Sequence, residues 1–289
     1  MEKLTALQFQ ISQIQPRQLL KRLDPIVTIS VDTWVLAMIG IPILRWVWGD
    51  DALIGGIALG VVLQVFASFI TLSRAKGWGL RYAVLVVVLI APAAWAVEFI
   101  GHTTGFPFGV YAYTERLQPQ IGGVPVLIPF AWLMMLPPAW AAARLIIGDI
   151  PGMRGRLAFI GMTAITFTVW DLFLDPQMVL WHLWVWADPG TLHYAGIPLS
   201  NYAGWLLASG AITALVMGVF HIMGRDLRDL PVLALMGIYV ITWLLQTIGQ
   251  LFFWGLPATA IVGFFAMGLC VVLALRGLAR IRQQSKATA

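Results

Sequence analysis

Eight apolar runs, at about 26–45, 52–72, 81–100, 125–147, 156–176, 199–223, 230–250 and 254–276, follow one another along the chain. Each is long enough to cross the ~30 Å of a bilayer's hydrocarbon. In lipid every backbone polar group must be satisfied within the protein, so runs of this length predict helices. The expected fold is therefore all-α: a polytopic membrane protein of about eight transmembrane helices forming a single domain over 26–276. A segment over 1–25, polar and basic, is read as interfacial and cytoplasmic, and 277–289 as a cytoplasmic tail. The first segment lacks the short apolar core and small-residue cleavage site of a secretory signal peptide.

Composition supports the class and narrows the chemistry. Hydrophobic residues make up 60% of the chain and charged residues 11%, more apolar surface than a soluble core hides. The net charge of +5 does not point to nucleic acid, because the basic residues sit in short loops between apolar runs, where they act as topology signals. All of the 18 Lys and Arg residues except Arg45 and Arg116 fall in the two termini and in the 2–3, 4–5 and 6–7 loops. The positive-inside rule then places both termini in the cytoplasm. The lone Cys270 leaves no disulfide framework, and His102, His182, His193 and His221 have no metal-ligand spacing, so neither a metal nor a cofactor is expected.

Four acids interrupt the apolar runs; Asp32, nearer the inner half of helix 1, groups less securely with the other three. Asp171 and Asp175 stand four residues apart, which stacks them on one face of a helix. Glu98 closes the third run. Helices 3 and 5 run in the same direction, so Glu98, Asp171 and Asp175 fall at one end of the bundle. The longest and most aromatic loops, 101–124 and 177–198, emerge at that end. Ionisable residues within membrane helices are costly and mark function unless they are paired. No Lys lies on this side, and Arg45 and Arg116 are in loops. His102, four residues after Glu98, either tunes that acid or makes structural hydrogen bonds. Phe106, Phe108, Tyr111 and Tyr113 around Pro107 and Gly109 read as a shaped loop, and Trp181, Trp184 and Trp186 as an interfacial belt ahead of a binding role. Asn201 either caps a helix or holds a water.

A possible internal repeat groups the acids further. Gly123-Val124-Pro125 before Trp132 matches Gly196-Ile197-Pro198 before Trp205 at an offset of 73 residues (196 − 123), which also carries Arg81 onto Arg154 and Glu98 onto Asp171. Two duplicated hairpins, 81–147 and 154–223, would each supply an acid. Chance is the competing account, since Gly and Pro before a helix are ordinary turn chemistry.

Carboxylic acids in hydrocarbon, aromatic faces and no metal or nucleotide motif suit protonation of an alkene. Burial disfavours the charged form of such an acid, so it can hold a proton to donate. Ring faces stabilise the resulting tertiary cation, and a second carboxylate takes a proton from the attacking water. Asp171 is expected as donor, Asp175 as the water-activating partner and Glu98 as a further acid.

The series Glu98-x2-Gly101-x2-Thr104-Gly105-x-Pro107-Phe108-Gly109-x-Tyr111-x-Tyr113, Gly123-Val124-Pro125 with Trp132, Asp171-x3-Asp175-Pro176, and Tyr194-x-Gly196-Ile197-Pro198-x2-Asn201-x2-Gly204-Trp205 resembles the integral-membrane carotenoid 1′,2′-hydratases of the CruF type. The resemblance covers about 90–205. Tyr202 and Ala203 depart from it, standing where Phe-Leu is expected. It implies addition of water to the terminal C1′=C2′ bond of an acyclic carotenoid end, without oxygen or a redox cofactor. It implies also a multi-pass protein of a prokaryotic plasma membrane whose partners are a carotenoid, water, membrane lipid and other enzymes of the carotenoid pathway. His102, Phe106, Phe108, Tyr111, Tyr113, Trp132, Trp170, Tyr194, Asn201 and Trp205 are the expected substrate contacts. Three alternatives remain open. A proton-initiated, lycopene-type cyclase uses the same acids and excludes water. A prenyltransferase would read Asp171-x3-Asp175 as a diphosphate site, but this side lacks the basic residues that such a site needs. A lipophilic carrier or transporter would bind without turnover.

Overall fold

The computed structural model describes residues 24–188 and 190–287. Most of the expected interfacial segment over 1–25, and the last two residues of the tail, lie outside them. The described residues form eight long apolar helices: α1 Pro25–Trp48, α2 Asp51–Arg74, α3 Gly79–Thr104, α4 Leu127–Ile147, α5 Gly152–Leu180, α6 Leu199–Ile222, α7 Val232–Phe252 and α8 Pro257–Ala287. The protein is all-α and polytopic, as its apolar runs require.

α4 is the central helix. It packs against α2, α3, α5, α7 and α8, and the small residues Ala139, Ala141, Ala142 and Ala143 let these neighbours approach. Its two prolines are tolerated because a neighbour restores a lost bond. Pro138 has no N–H to give the Met134 carbonyl, and the buried Gln64 amide on α2 donates to that carbonyl instead, at 3.3 Å. Pro176 is accommodated in the same way. The Leu172 carbonyl that it leaves without a donor accepts from the Tyr194 hydroxyl at 3.4 Å. α5 therefore continues past Asp175 and Pro176 to Leu180, where the sequence alone suggests an end at residue 176.

The loops at the acidic end carry short strands that the apolar pattern does not announce. They are β1 Tyr111–Tyr113, β2 Gln120–Ile121 and β3 Val124–Pro125 in one loop, and β4 Trp184–Trp186, β5 His193–Tyr194 and β6 Ile197–Pro198 in the other. Each strand of the first loop has a counterpart 73 residues later (184 − 111, 193 − 120, 197 − 124). β1 and β4 join the loops as an antiparallel pair, Tyr111 opposite Trp186 and Tyr113 opposite Trp184. The flanking bonds follow the same offset: Thr114 N–H donates to Leu183 O at 3.0 Å, and Ala187 N–H to Val110 O at 2.9 Å. The hairpins α3–α4 and α5–α6 thus meet through equivalent parts of themselves.

At the opposite end, two arginines and a tryptophan tie the helix termini together. Arg144 Nε donates to Arg228 O at 3.1 Å, Arg225 Nε to the Tyr82 hydroxyl at 3.2 Å, and Trp78 Nε1 to Asp229 O at 3.0 Å.

Candidate active site

Glu98, Asp171 and Asp175 are buried at the end of the bundle beneath the β1–β4 ladder. Glu98 Oε2 accepts from the hydroxyls of Tyr111 and Tyr113, each at 2.7 Å, and Glu98 Oε1 from Trp132 Nε1 at 2.9 Å. The two tyrosines reach one carboxyl because residues two apart on a strand share a face. Burial leaves both phenols with their pKa values raised above the ordinary tyrosine range, and the Glu98 charge adds to the effect.

Asp175 is held from the other loop. Its Oδ1 accepts from Trp184 Nε1 at 3.1 Å and its Oδ2 from Asn201 Nδ2 at 2.5 Å; the same Asn201 nitrogen donates to Asp171 Oδ2 at 3.1 Å. Asn201 does not cap α6, whose first turn has no side-chain cap. It ties the two aspartates into one unit. Among the described residues no cation pairs with Glu98, Asp171 or Asp175, and no three His, Cys, Asp or Glu side chains are disposed to hold a metal ion.

Two of the acids border a largely apolar cavity of about 430 Å³, within the usual range of small-molecule sites. Glu98, Asp175 and Asn201 line it, with the rings of Trp132, Trp205 and Trp184 beside them. Trp132 and Trp205 are stacked, 4.9 Å between centroids and 8° between planes. These are the two tryptophans that the 73-residue offset relates. Phe108 packs edge-on against Trp205 and Tyr111. Its seat explains two glycines of the sequence pattern: a Cβ on Gly101 would stand 2.5 Å from the Phe108 ring, and one on Gly204 2.7 Å from it.

The predicted site residues divide by position. Phe108, Tyr111, Tyr113, Trp132, Asn201 and Trp205 are on the cavity wall with Glu98 and Asp175. Asp171 is not; it is fully enclosed, linked to Asp175 through Asn201, and its Oδ1 has no hydrogen-bond partner among the described residues. Trp170 supports Trp205 from outside the wall. His102 packs against the Tyr111 and Tyr113 rings at 6.3 and 6.0 Å. Tyr194 serves the α5 backbone at Pro176, and burial raises its pKa to about 12. Phe106 is displaced from the site altogether, 65% exposed at the rim of its loop, because the glycines on either side turn Phe108 inward instead.

Sequence reasoning misplaced Trp184. The belt reading puts it at the lipid interface, whereas it is buried with its N–H on Asp175. The signal was present: the offset that carries Glu98 onto Asp171 also carries Tyr111, a Glu98 donor, onto Trp184.

A sequence profile described as "carotenoid biosynthesis protein" matches residues 56–271, which contain every residue of this site. The chain belongs to the carotenoid biosynthesis protein family. It is also 32% identical over 157 residues to a bisanhydrobacterioruberin hydratase of Haloarcula japonica, an alignment covering 52% of this chain and 51% of that protein. The chain thus spans about half the length of the curated relative it matches. No solved structure matches this family member.

Proposed function

We propose that this member of the carotenoid biosynthesis family is a hydro-lyase, a carotenoid hydratase that adds water to the terminal C1′=C2′ double bond of an acyclic carotenoid end and leaves a tertiary alcohol. The observation that carries the reading is the convergence of two carboxyl groups, Glu98 and Asp175, on one aromatic-walled cavity, with no cation partner among the described residues. Similarity to a hydratase of a carotenoid supports the substrate class.

Asp175, on the wall, is the proton donor. Its O–H bond breaks as the alkene π electrons take the proton at C2′, which leaves a tertiary cation at C1′. The stacked Trp132 and Trp205 offer the negative potential of their ring faces to that cation. A water oxygen bonds to C1′ while Glu98, both of whose oxygens are already placed as acceptors, takes its proton. Return of that proton from Glu98 to Asp175 closes the cycle, so the net change is one water added. Asp171 acts through Asp175 as a positioning residue. This moves the donor role expected of Asp171 to Asp175, and the water-activating role expected of Asp175 to Glu98, because Glu98 and Asp175 are the acids on the cavity wall.

The acids lie at the end opposite Arg144, Arg225 and Arg228. By the positive-inside rule they face the non-cytoplasmic side of a prokaryotic plasma membrane, with both termini cytoplasmic. The recurring strands support reading 81–147 and 154–223 as duplicated hairpins. Pigment masses from carotenoid-producing cells with and without the protein test the function. A product one water heavier supports hydration. A product of unchanged mass with a shifted absorption spectrum would make the protein a cyclase, and unaltered pigment a carrier.

A further inference from the structure

Most residues that line the cavity are buried or half-buried, but Ile39 on α1, Ile248 on α7 and Phe253 just beyond α7 are 51%, 46% and 52% exposed. A side chain that borders a cavity and also faces outward marks its mouth, so the mouth lies along the seam between α1 and α7. At 1.5 Å per residue, Ile39 lies about 14 Å before the end of α1 (48 − 39 = 9 residues) and Ile248 about 6 Å before the end of α7 (252 − 248 = 4 residues), both within the membrane-length helices. The outward residues next to the seam are apolar: Leu36 and Ile43 on α1, Leu244 and Leu251 on α7. Above the seam, Arg45 lies 5.5 Å from the Trp254 ring centroid, and Trp46 and Trp48 are exposed, the composition of a membrane interface. The opening therefore runs from the membrane-length part of α1 and α7 up to the interfacial belt at Phe253 and Trp254, with apolar side chains along its outer edge.

We propose that the α1–α7 seam is a lateral portal through which one end of a long polyene passes directly from the bilayer to the acids, the rest of the chain staying in the portal and the lipid. The proposal rests on the hydratase reading for the identity of the polyene. Its occupant follows from the chemistry of the opening, since a mouth bordered by apolar outward side chains on two membrane-length helices suits a lipid-dissolved chain. The Gln64 amide nitrogen on the inner wall is already tied to Met134 O at 3.3 Å and to Thr242 Oγ1 at 3.1 Å.

The test is a reversible staple. Cys270, the chain's single cysteine, is buried on α8; it is replaced by Ser, and Ile39→Cys and Ile248→Cys are joined in proteoliposomes by a cleavable bis-maleimide. Binding of acyclic carotenoid is read from its visible absorption shift, and turnover from product mass. Stapling is expected to lower the rate of binding at least tenfold against the same unstapled protein, with recovery on cleavage. Binding within twofold of the unstapled rate would overturn the portal. A single Ile248→Trp variant is a second reading: kcat/KM falls at least tenfold with an unchanged melting midpoint, and an unaltered kcat/KM contradicts the proposal. Failure of the hydratase reading is separate, since unstapled protein that binds the polyene and adds no water refutes the reaction while the binding rates still decide the portal.

Discussion

Tyr113 and Trp184 stand opposite each other in the β1–β4 ladder, and each donates to a different buried carboxyl: Tyr113 to Glu98 at 2.7 Å, Trp184 to Asp175 at 3.1 Å. A two-stranded ladder that would be marginal alone thereby fixes the relative positions of acids carried by two separate helices. Preorganisation of this kind is what general acid–base chemistry requires of its groups.

Trp184→Phe keeps the ring and removes the N–H. An unsatisfied buried acceptor costs about 1–3 kcal/mol, so kcat is expected to fall roughly tenfold or more and the melting midpoint to drop, with carotenoid affinity retained. Steady-state kinetics beside a thermal melt check this; unchanged kcat would detach Trp184 from Asp175 function.

Asp175→Asn removes the proposed donor and is expected to lower kcat by roughly 10² to 10⁴. Asp171→Asn is expected to cost less, because Asp171 lies behind the wall and acts only through its neighbour. Equal losses, or a larger loss for Asp171→Asn, would return the donor role to Asp171.

Asn201→Ala leaves two buried carboxyl groups without their common donor. Stability is expected to fall by about 1–3 kcal/mol. The effect should be non-additive with Asp171→Asn by at least about 0.5 kcal/mol in a double-mutant cycle. Simple additivity would separate Asn201 from the aspartate pair.

The apolar runs make the eight helices legible in the sequence, and the helix count alone brings Glu98, Asp171 and Asp175 to one end. The partners of these acids were less accessible. Strands of two or three residues carry too little pattern to register, so Tyr113 and Trp184 could be read only as loop aromatics. Pro176 looks like a helix end because its compensation is a tertiary one, the Tyr194 hydroxyl on Leu172 O. The separation of Asp175 from Asp171 was beyond reach for a similar reason: residues four apart on a helix share a face, and only the packing of α6 decides which of them borders the cavity.

Gly204→Ala places a methyl group 2.7 Å from the Phe108 ring and 2.9 Å from Pro107 O. Overpacking of this kind costs about 1–3 kcal/mol, expected as a lower melting midpoint in detergent. Gly161→Ala on α5 is the control, having no atom within 4 Å of the added Cβ; it is expected to be neutral or stabilising, since alanine restricts the unfolded chain more. A loss as large in the control would remove the Phe108 seat as the cause.

The central claim is tested most directly by incubating the purified, reconstituted protein with an acyclic carotenoid in H₂¹⁸O under argon and weighing the product. Hydration predicts a tertiary alcohol whose new oxygen is ¹⁸O, formed without oxygen and at least about 10²-fold more slowly with Asp175→Asn. A product isomeric with the substrate, or an oxygen that remains ¹⁶O, would contradict it.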